Sequence, residues 1–519
     1  MLTVLDGGSQ DWVAMPLEDI AFGNAMDADF TLRAYNRMRP ELHRTNAHLV
    51  YDNILKDILL TMAEIENFGI AIDEEYLEEL DQKLTQRLEE KQEELLELSP
   101  VSGINLNSYQ DLAMVVFTKE GFNLGATKFS PKTNLPSLTE EHLSEVLTTT
   151  SPDSDAHKFV AGVLEYKYMG KQHRTYVKGV RSAAKYNGSP RVYSQYNFAT
   201  VVTGRLSCST YTVKKKVPGK REGVLVNKEF KKGVSFHTLP RSSADDEVNI
   251  RKLMIPDEGK AFLTADFATA ELRVLAQCCR DANLIEAFTC GEDLHKFTAS
   301  LIFSKDISKI TPQERQIAKS VSFLIVYGGG PFKLASQINK SVGYCKNIFK
   351  EYDSSFPRVF GWIKDTRQRI KTDGHATSLF GRRRHLQNVT SPSRAHQERA
   401  LRQGINFIIQ SSASDLMLHS IQRVKKYVGK AGLDVDILAS VHDSIEVQCP
   451  YDQVQKTVQL LKYALPSTED LTQLYGINFV VPFEVDIEAG TSFGDGLEAE
   501  FDSSGSLLNA KALRQYVQK

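Results

Sequence analysis

The chain has 519 residues, and 63 Lys and Arg against 65 Asp and Glu leave a formal net charge of −2. That length suggests roughly three or four domains' worth of chain, and its 41% hydrophobic and 9% aromatic content can bury a sizeable core, a composition that excludes a disordered chain, a collagen and a disulfide scaffold. No run approaches the roughly 18 apolar residues of a membrane helix. The opening Met1 to Gly8 stretch lacks the basic start and apolar core of a signal peptide, so the expectation is a soluble cytoplasmic protein with no membrane partner.

The first 45 residues are mixed in character. Leu-rich periodicity then runs from Tyr51 through Met62, Ile65 and Phe68. From Asp73 to Glu97, leucines at 77, 80, 84, 88 and 95 continue to Leu98 and predict a long amphipathic helix with an acidic, solvated face. Turn signals at Pro100, Ser130 to Thr133 and Pro152 separate further helical pieces up to about Val180. Between Arg205 and Lys232 the composition changes sign: Lys214, Lys215, Lys216, Lys220, Arg221, Lys228, Lys231 and Lys232 surround Pro218 and Gly219, which reads as a basic, mobile loop. The near-zero total is therefore a cancellation, −8 over residues 73–97 against +7 over residues 205–232. The six cysteines show no CxxC spacing and read as reduced thiols. Strands and helices alternate from Ala261 to about Gly490, and residues 495–519 read as an acidic tail.

Three segments carry chemistry. In Ala261 to Arg273, a short apolar run predicts a buried strand with Asp266 at its end, followed by a helix carrying Glu271 and Arg273. A carboxylate at a strand tip is a rigid place to hold a hard cation, and an Asp satisfied by helix amides is the competing reading. In Thr311 to Gly330, Thr311 and Glu314 predict a capping box, Pro312 takes the first helical position and the glycines end the helix. Arg315, Lys319, Phe323 and Tyr327 recur every four residues and share one face. Cations toward the positive helix end suit phosphates, and the aromatics beyond them suit a base. In Val435 to Cys449, two apolar runs flank Val441, His442 and Asp443, which puts the His and Asp in or beside a hairpin turn.

Taken together and in this order, the three segments resemble motifs A, B and C of the family A DNA polymerases. Thr203 to Ser207, Asp293 to His295, Gly381 to Arg384, the helix with Arg402, Asn406 and Gln410, and Glu66 to Asp73 extend the resemblance over roughly Asp27 to Gly494. It implies an α+β right-hand fold, with an antiparallel palm sheet and helical fingers and thumb. The expected divisions are 1–45, a remnant of an exonuclease-like domain edge; 46–190, thumb and connecting helices; 191–273, palm with a basic insertion at 209–235; 274–400, fingers; 401–494, palm; and 495–519, tail.

The resemblance also assigns roles. Asp266, Asp443 and the Phe267 carbonyl would hold two Mg²⁺ ions for phosphoryl transfer to a primer 3′-hydroxyl. Arg315, Lys319 and His295 would clamp a dNTP, with Lys319 a candidate catalytic proton donor to pyrophosphate. Phe323 would pack on the sugar and base, Tyr327 would sit beside the nascent pair, and Glu271 would exclude a 2′-hydroxyl. Arg205 and Gln410 would read the minor groove, with Arg402, Asn406 and His442 along the primer-template path, and Lys214, Lys215 and Lys216 on DNA.

Ser444 replaces the acid that commonly follows the motif C Asp, and Glu446 reads as a structural or outward partner. Met26 to Thr31 resembles the last motif of the family's proofreading exonuclease, with Gly23 in place of the usual Tyr, so no 3′ to 5′ exonuclease activity is expected of this chain. A separate exonuclease or processivity protein is a possible partner. The rival readings are a single-subunit RNA polymerase, which Glu271 and Thr203 to Ser207 argue against, and a non-catalytic primer-template binding protein, which intact Asp266, Asp443, Arg315 and Lys319 argue against.

Overall fold

A computed structural model describes residues 16–518 apart from 131–132, 211, 219–224, 232 and 242–246, with the side chains of 186 and 212–231 also outside the description. Its centre is a five-stranded antiparallel sheet in the order Asp436–Val441, Ser444–Pro450, Lys260–Phe267, Val485–Ser492, Asp495–Glu498. The middle strand reads Ala, Phe, Leu, Thr, Ala, and its apolar residues are buried, as a strand covered on both faces requires. This is the antiparallel palm sheet that the sequence predicts.

The long acidic helix spans Glu74–Leu98. Asp73 caps it by accepting the Tyr76 N–H at 2.9 Å, and Leu77, Leu80, Leu84 and Leu95 are buried. Leu95 joins Val115, Leu143, Phe159 and Val163 in a core separate from the sheet. Just before it, the strand Ile70–Ile72 pairs with Arg191–Val192 and Met254–Ile255, a small sheet that ties this helical part to the base of the central sheet. On the opposite flank, a 38-residue helix, Arg394–Ala431, buries much of its middle. The division expected between residues 400 and 401 falls inside it. The helix Leu17–Arg44 has no buried residue, and no helix among the described residues is long and apolar enough to cross a membrane.

Two expectations need correction. Residues 495–519 are not a tail: Asp495–Glu498 is the edge strand of the central sheet, and the helix Ala510–Val517 buries Leu513 and Val517 against it. Nor is the basic segment a loop. Thr212–Pro218 and Leu225–Lys231 pair antiparallel from Thr212 opposite Lys231 to Pro218 opposite Leu225, leaving Lys220, Arg221 and Lys232 outside the described residues. The strand-forming residues Thr212, Val213, Val217, Val226 and Phe230 carry the strand signal that the charge count obscures.

The loop that carries Arg205 is braced from behind. Arg382 donates twice to Asp415, at 3.2 and 2.6 Å, and Asp415 is fully buried in the long helix. The Arg382 guanidinium also packs on Gly204, whose φ is +75° and where a Cβ would stand 2.7 Å from Cζ. Ser414 Oγ donates to the Gly204 carbonyl at 2.9 Å. Substitution of Gly204 by Ala is therefore expected to cost about 1–3 kcal/mol through backbone strain and the clash, read as a lower denaturant midpoint with an unchanged slope.

Candidate active site

Strand pairing brings the two aspartates together. Asp266 lies opposite Ser444 on one neighbouring strand and Asp486 on the other. Val441 pairs with Ser444, so His442 and Asp443 form the predicted turn, with His442 at φ +60°, a left-handed conformation rarely adopted by a residue with a side chain. The Phe267 N–H donates to the Asp443 carbonyl at 3.0 Å, which fastens the strand tip to the turn. Arg205 Nη2 donates to Asp443 Oδ1 at 2.9 Å, and Arg241 Nη2 stands 4.0 Å from Asp266 Oδ2. Burial and the neighbouring Asp443 push the Asp266 carboxyl up to about 6, as expected for like charges sharing a partly dry site.

The helix Pro312–Val326 faces this tip. The Thr311–Glu314 capping box forms in both directions, and Ile317, Val321, Leu324 and Ile325 pack inward. Gly328, at φ +66°, lies just past the helix end. Lys319, Phe323 and Tyr327 line a cavity of about 210 Å³ together with Arg205, Asp266, Phe267, Glu271, His295, His442 and Asp443. Arg315 stands outside that lining and instead holds Asp293, with Nη2 at 2.7 Å from Oδ2 and Nε at 3.1 Å from Oδ1. Asp293 also caps the helix Leu294–Phe303, accepting the Lys296 N–H at 2.7 Å. His295 follows it, its ring 6.2 Å from that of Phe323. Burial pulls His295 down to about 4, so it enters the site as a neutral imidazole with one N–H to donate.

Glu271 is buried in the first turn of the helix Ala270–Cys279, and burial raises its carboxyl above the usual range. It accepts the Tyr327 hydroxyl at 2.7 Å, is hydrogen-bonded by Gln410 and lies 3.8 Å from Arg205. Asn406 keeps a buried Nδ2 without a hydrogen-bond partner among the described residues. Arg402 lines a different cavity, with Gly328, Gly329 and Gly330. The backbone of Lys214, Lys215 and Lys216 runs in the basic ribbon.

Sequence reasoning missed Arg241, which lines the site and belongs to none of the motifs. It also missed His237, whose ring lies 5.0 Å from that of His442 and whose Nε2 lies 2.9 Å from the Ser440 carbonyl oxygen. Glu446 does not point outward: it is 1% exposed and accompanies Asp486 and Glu488 on the Asp266 side of the sheet. Only the strand register, which pairs Ser444 and Asp486 with the distant Asp266, could have revealed that acidic row.

Two carboxylates on one rigid tip suit a hard divalent cation held by oxygen ligands. A cation must displace the Asp266 proton before binding. Mg²⁺ affinity, followed by calorimetry, is therefore expected to be independent of pH well above 6 and to fall about tenfold per unit below it, by mass action for one proton per ion. An affinity constant down to pH 4.5 would place the cation elsewhere.

Residues 74–495 match DNA polymerase family A. The chain is 28% identical to DNA polymerase I of Chloroflexus aurantiacus over 93% of its own length and 47% of that protein. It is likewise 28% identical to the thermostable DNA polymerase I of Thermus filiformis, over 91% of the chain and 50% of that protein. It thus spans about half the length of the curated relatives it matches. Among solved structures, the polymerase domain of Pol1 from M. smegmatis, in complex with a DNA primer-template and dNTP, superposes with a TM-score of 0.75 at 27% identity, over 89% of this chain and 74% of that one. The chain belongs to DNA polymerase family A.

Proposed function

We propose that this chain is a template-directed DNA polymerase that adds deoxynucleotides to a primer 3′-hydroxyl by two-metal-ion phosphoryl transfer. The observation that supports this most directly is the meeting of Asp266 and Asp443 at one sheet tip, facing the cationic and aromatic side of the Pro312–Val326 helix. The carboxylates, with the Phe267 carbonyl, would hold two Mg²⁺ ions. When bound, these supply the positive charge that activates the hydroxyl and stabilises the departing pyrophosphate.

The side chains bind and orient. Arg315 and Lys319 attract the triphosphate at the positive end of the helix dipole, and neutral His295 adds an N–H. Lys319 gives its proton to the leaving pyrophosphate. Phe323 stacks on the incoming base and sugar, Tyr327 borders the nascent pair, and Glu271, held by Tyr327 and Gln410, fills the space a 2′-hydroxyl would need. Arg205 and Gln410 probe minor-groove acceptors, which are alike for all pairs and so test geometry without selecting sequence. Arg402, Asn406 and His442 guide the primer-template, and Lys214, Lys215 and Lys216 on the ribbon contact its phosphates.

Extension of a labelled primer with Mg²⁺ and dNTPs tests the reading. Wild type is expected to extend it, and Asp443→Ala to lose at least about a hundredfold in rate, as when a preorganised charge is removed from such a transition state. Extension that persists in the variant would assign the metals elsewhere. A mismatched 3′ end in the same reaction should stay undegraded, since the resemblance to the proofreading exonuclease is confined to Met26 to Thr31 and Gly23 stands in place of its usual Tyr.

The ribbon has its own test. Deleting residues 211–232 is expected to make the dependence of DNA affinity on salt shallower by about 0.9 in log–log slope for each phosphate that the ribbon no longer neutralises. An unchanged slope would remove the ribbon from the interface.

A further inference from the structure

Ser444 stands where the family resemblance leads one to expect an acid, and the nearest carboxyl along the strand is Glu446, on the same face because side chains alternate. It is buried. Ser444 Oγ lies 2.7 Å from Glu446 Oε1 and 2.9 Å from the Val441 carbonyl oxygen. Both distances are hydrogen bonds, yet a serine hydroxyl has one proton and a carbonyl oxygen can only accept. If Ser444 donates to Val441, the bond to Glu446 needs a proton from the carboxyl. The opposite assignment leaves Ser444 Oγ and the Val441 oxygen as two acceptors face to face, and a bare carboxylate in the interior with Oε2 unpartnered among the described residues. The acid form satisfies both short contacts.

The surroundings favour that form. Thr264 and Asp266 lie on the adjoining strand, Asp486 and Glu488 on the next, and Arg241 and Arg251 across a cavity of about 350 Å³. Burial and Asp266 push the Glu446 carboxyl up to about 8 against the opposing pull of Ser444, Arg251 and Arg241. Asp266 and Arg241 line this cavity and the one bordered by Lys319 and Phe323 alike, so Glu446 sits directly behind the proposed metal site.

We propose that Glu446 is a positioning residue: its carboxyl O–H donates to Ser444 Oγ, Ser444 donates to the Val441 carbonyl, and the two bonds clamp the turn that holds Asp443 against Asp266. The turn needs such a clamp because His442 takes a left-handed conformation within it. The missing acid is thus replaced by an acid two residues on that works through a neutral hydrogen bond and not through charge. This rests on the reading of Asp266 and Asp443 as the metal-holding pair.

The test compares wild type, Glu446→Leu, Glu446→Gln and Ser444→Ala in single-nucleotide extension, separating kcat from KM. Glu446→Leu and Ser444→Ala are expected to lower kcat at least about tenfold, the scale of a misplaced catalytic group, while KM for dNTP moves less than about twofold. Glu446→Gln, whose amide N–H donates to Ser444 Oγ, is expected to recover most of the loss. Full activity in Glu446→Leu, or a Gln variant as impaired as the Leu variant, would overturn the proposal, the second by showing that a charge is required. The infrared difference between wild type and Glu446→Gln at pH 7 should contain a protonated-carboxyl C=O band, and a carboxylate band in its place would also overturn it. That spectrum needs no polymerase activity, so a wild type that fails to extend primers would refute the function while the clamp is still decided, and it holds if Glu446→Leu does not fold.

Discussion

One backbone hydrogen bond, from the Phe267 N–H to the Asp443 carbonyl, sets the constraint on which the rest of the site depends. It joins the tip of the middle strand to the turn of its neighbour, and so places side by side two carboxylates that repel each other. Strand pairing along the whole of Lys260–Phe267 resists that repulsion. Burial, together with what remains of that repulsion, appears in the raised proton affinity of Asp266. Arg205 and Arg241 stand on the two acids and offset part of the cost without removing it. A tip built this way has a standing attraction for hard cations, since a divalent ion relieves the strain that the fold imposes.

The supports radiate from that tip. Arg205 reaches Asp443 because Gly204 lets the loop pass against Arg382, and Arg382 is fixed by a buried Asp415. Breaking such a buried pair costs far more than forming it contributes, so the geometry of the acidic tip is over-determined from behind. Glu271 links the tip to the opposite wall through Tyr327, and Gln410 links both to the long helix. The same helix therefore carries both the brace of the Arg205 loop, at Asp415, and Gln410, which holds Glu271.

Local signals made much of this legible. The capping box at Thr311, the four-residue recurrence of Arg315, Lys319, Phe323 and Tyr327, the strand ending in Asp266 and the turn at His442 are each written within about 15 residues, where periodicity and capping chemistry act. Features set by distant pairing were not legible. Glu446 reads as a structural or outward partner until the strand register puts it on the buried face with Thr264 and Asp266, and the last 25 residues read as a tail because their strand is stabilised by partners in the sheet and not by their own composition. The basic ribbon failed for another reason: charge dominated the reading of a segment whose β-branched and aromatic residues, Thr212, Val213, Val217, Val226 and Phe230, carry the structural information.

The guanidinium of Arg315 is already held by both oxygens of Asp293, whereas Lys319 has no carboxylate partner among the described residues. If the row receives a phosphate chain as proposed, its members engage in sequence. Lys319 is free to make first contact, and Arg315 joins only when the arriving oxygens compete successfully with Asp293. Asp293 thus does two jobs in one place, capping the Leu294–Phe303 helix and holding Arg315.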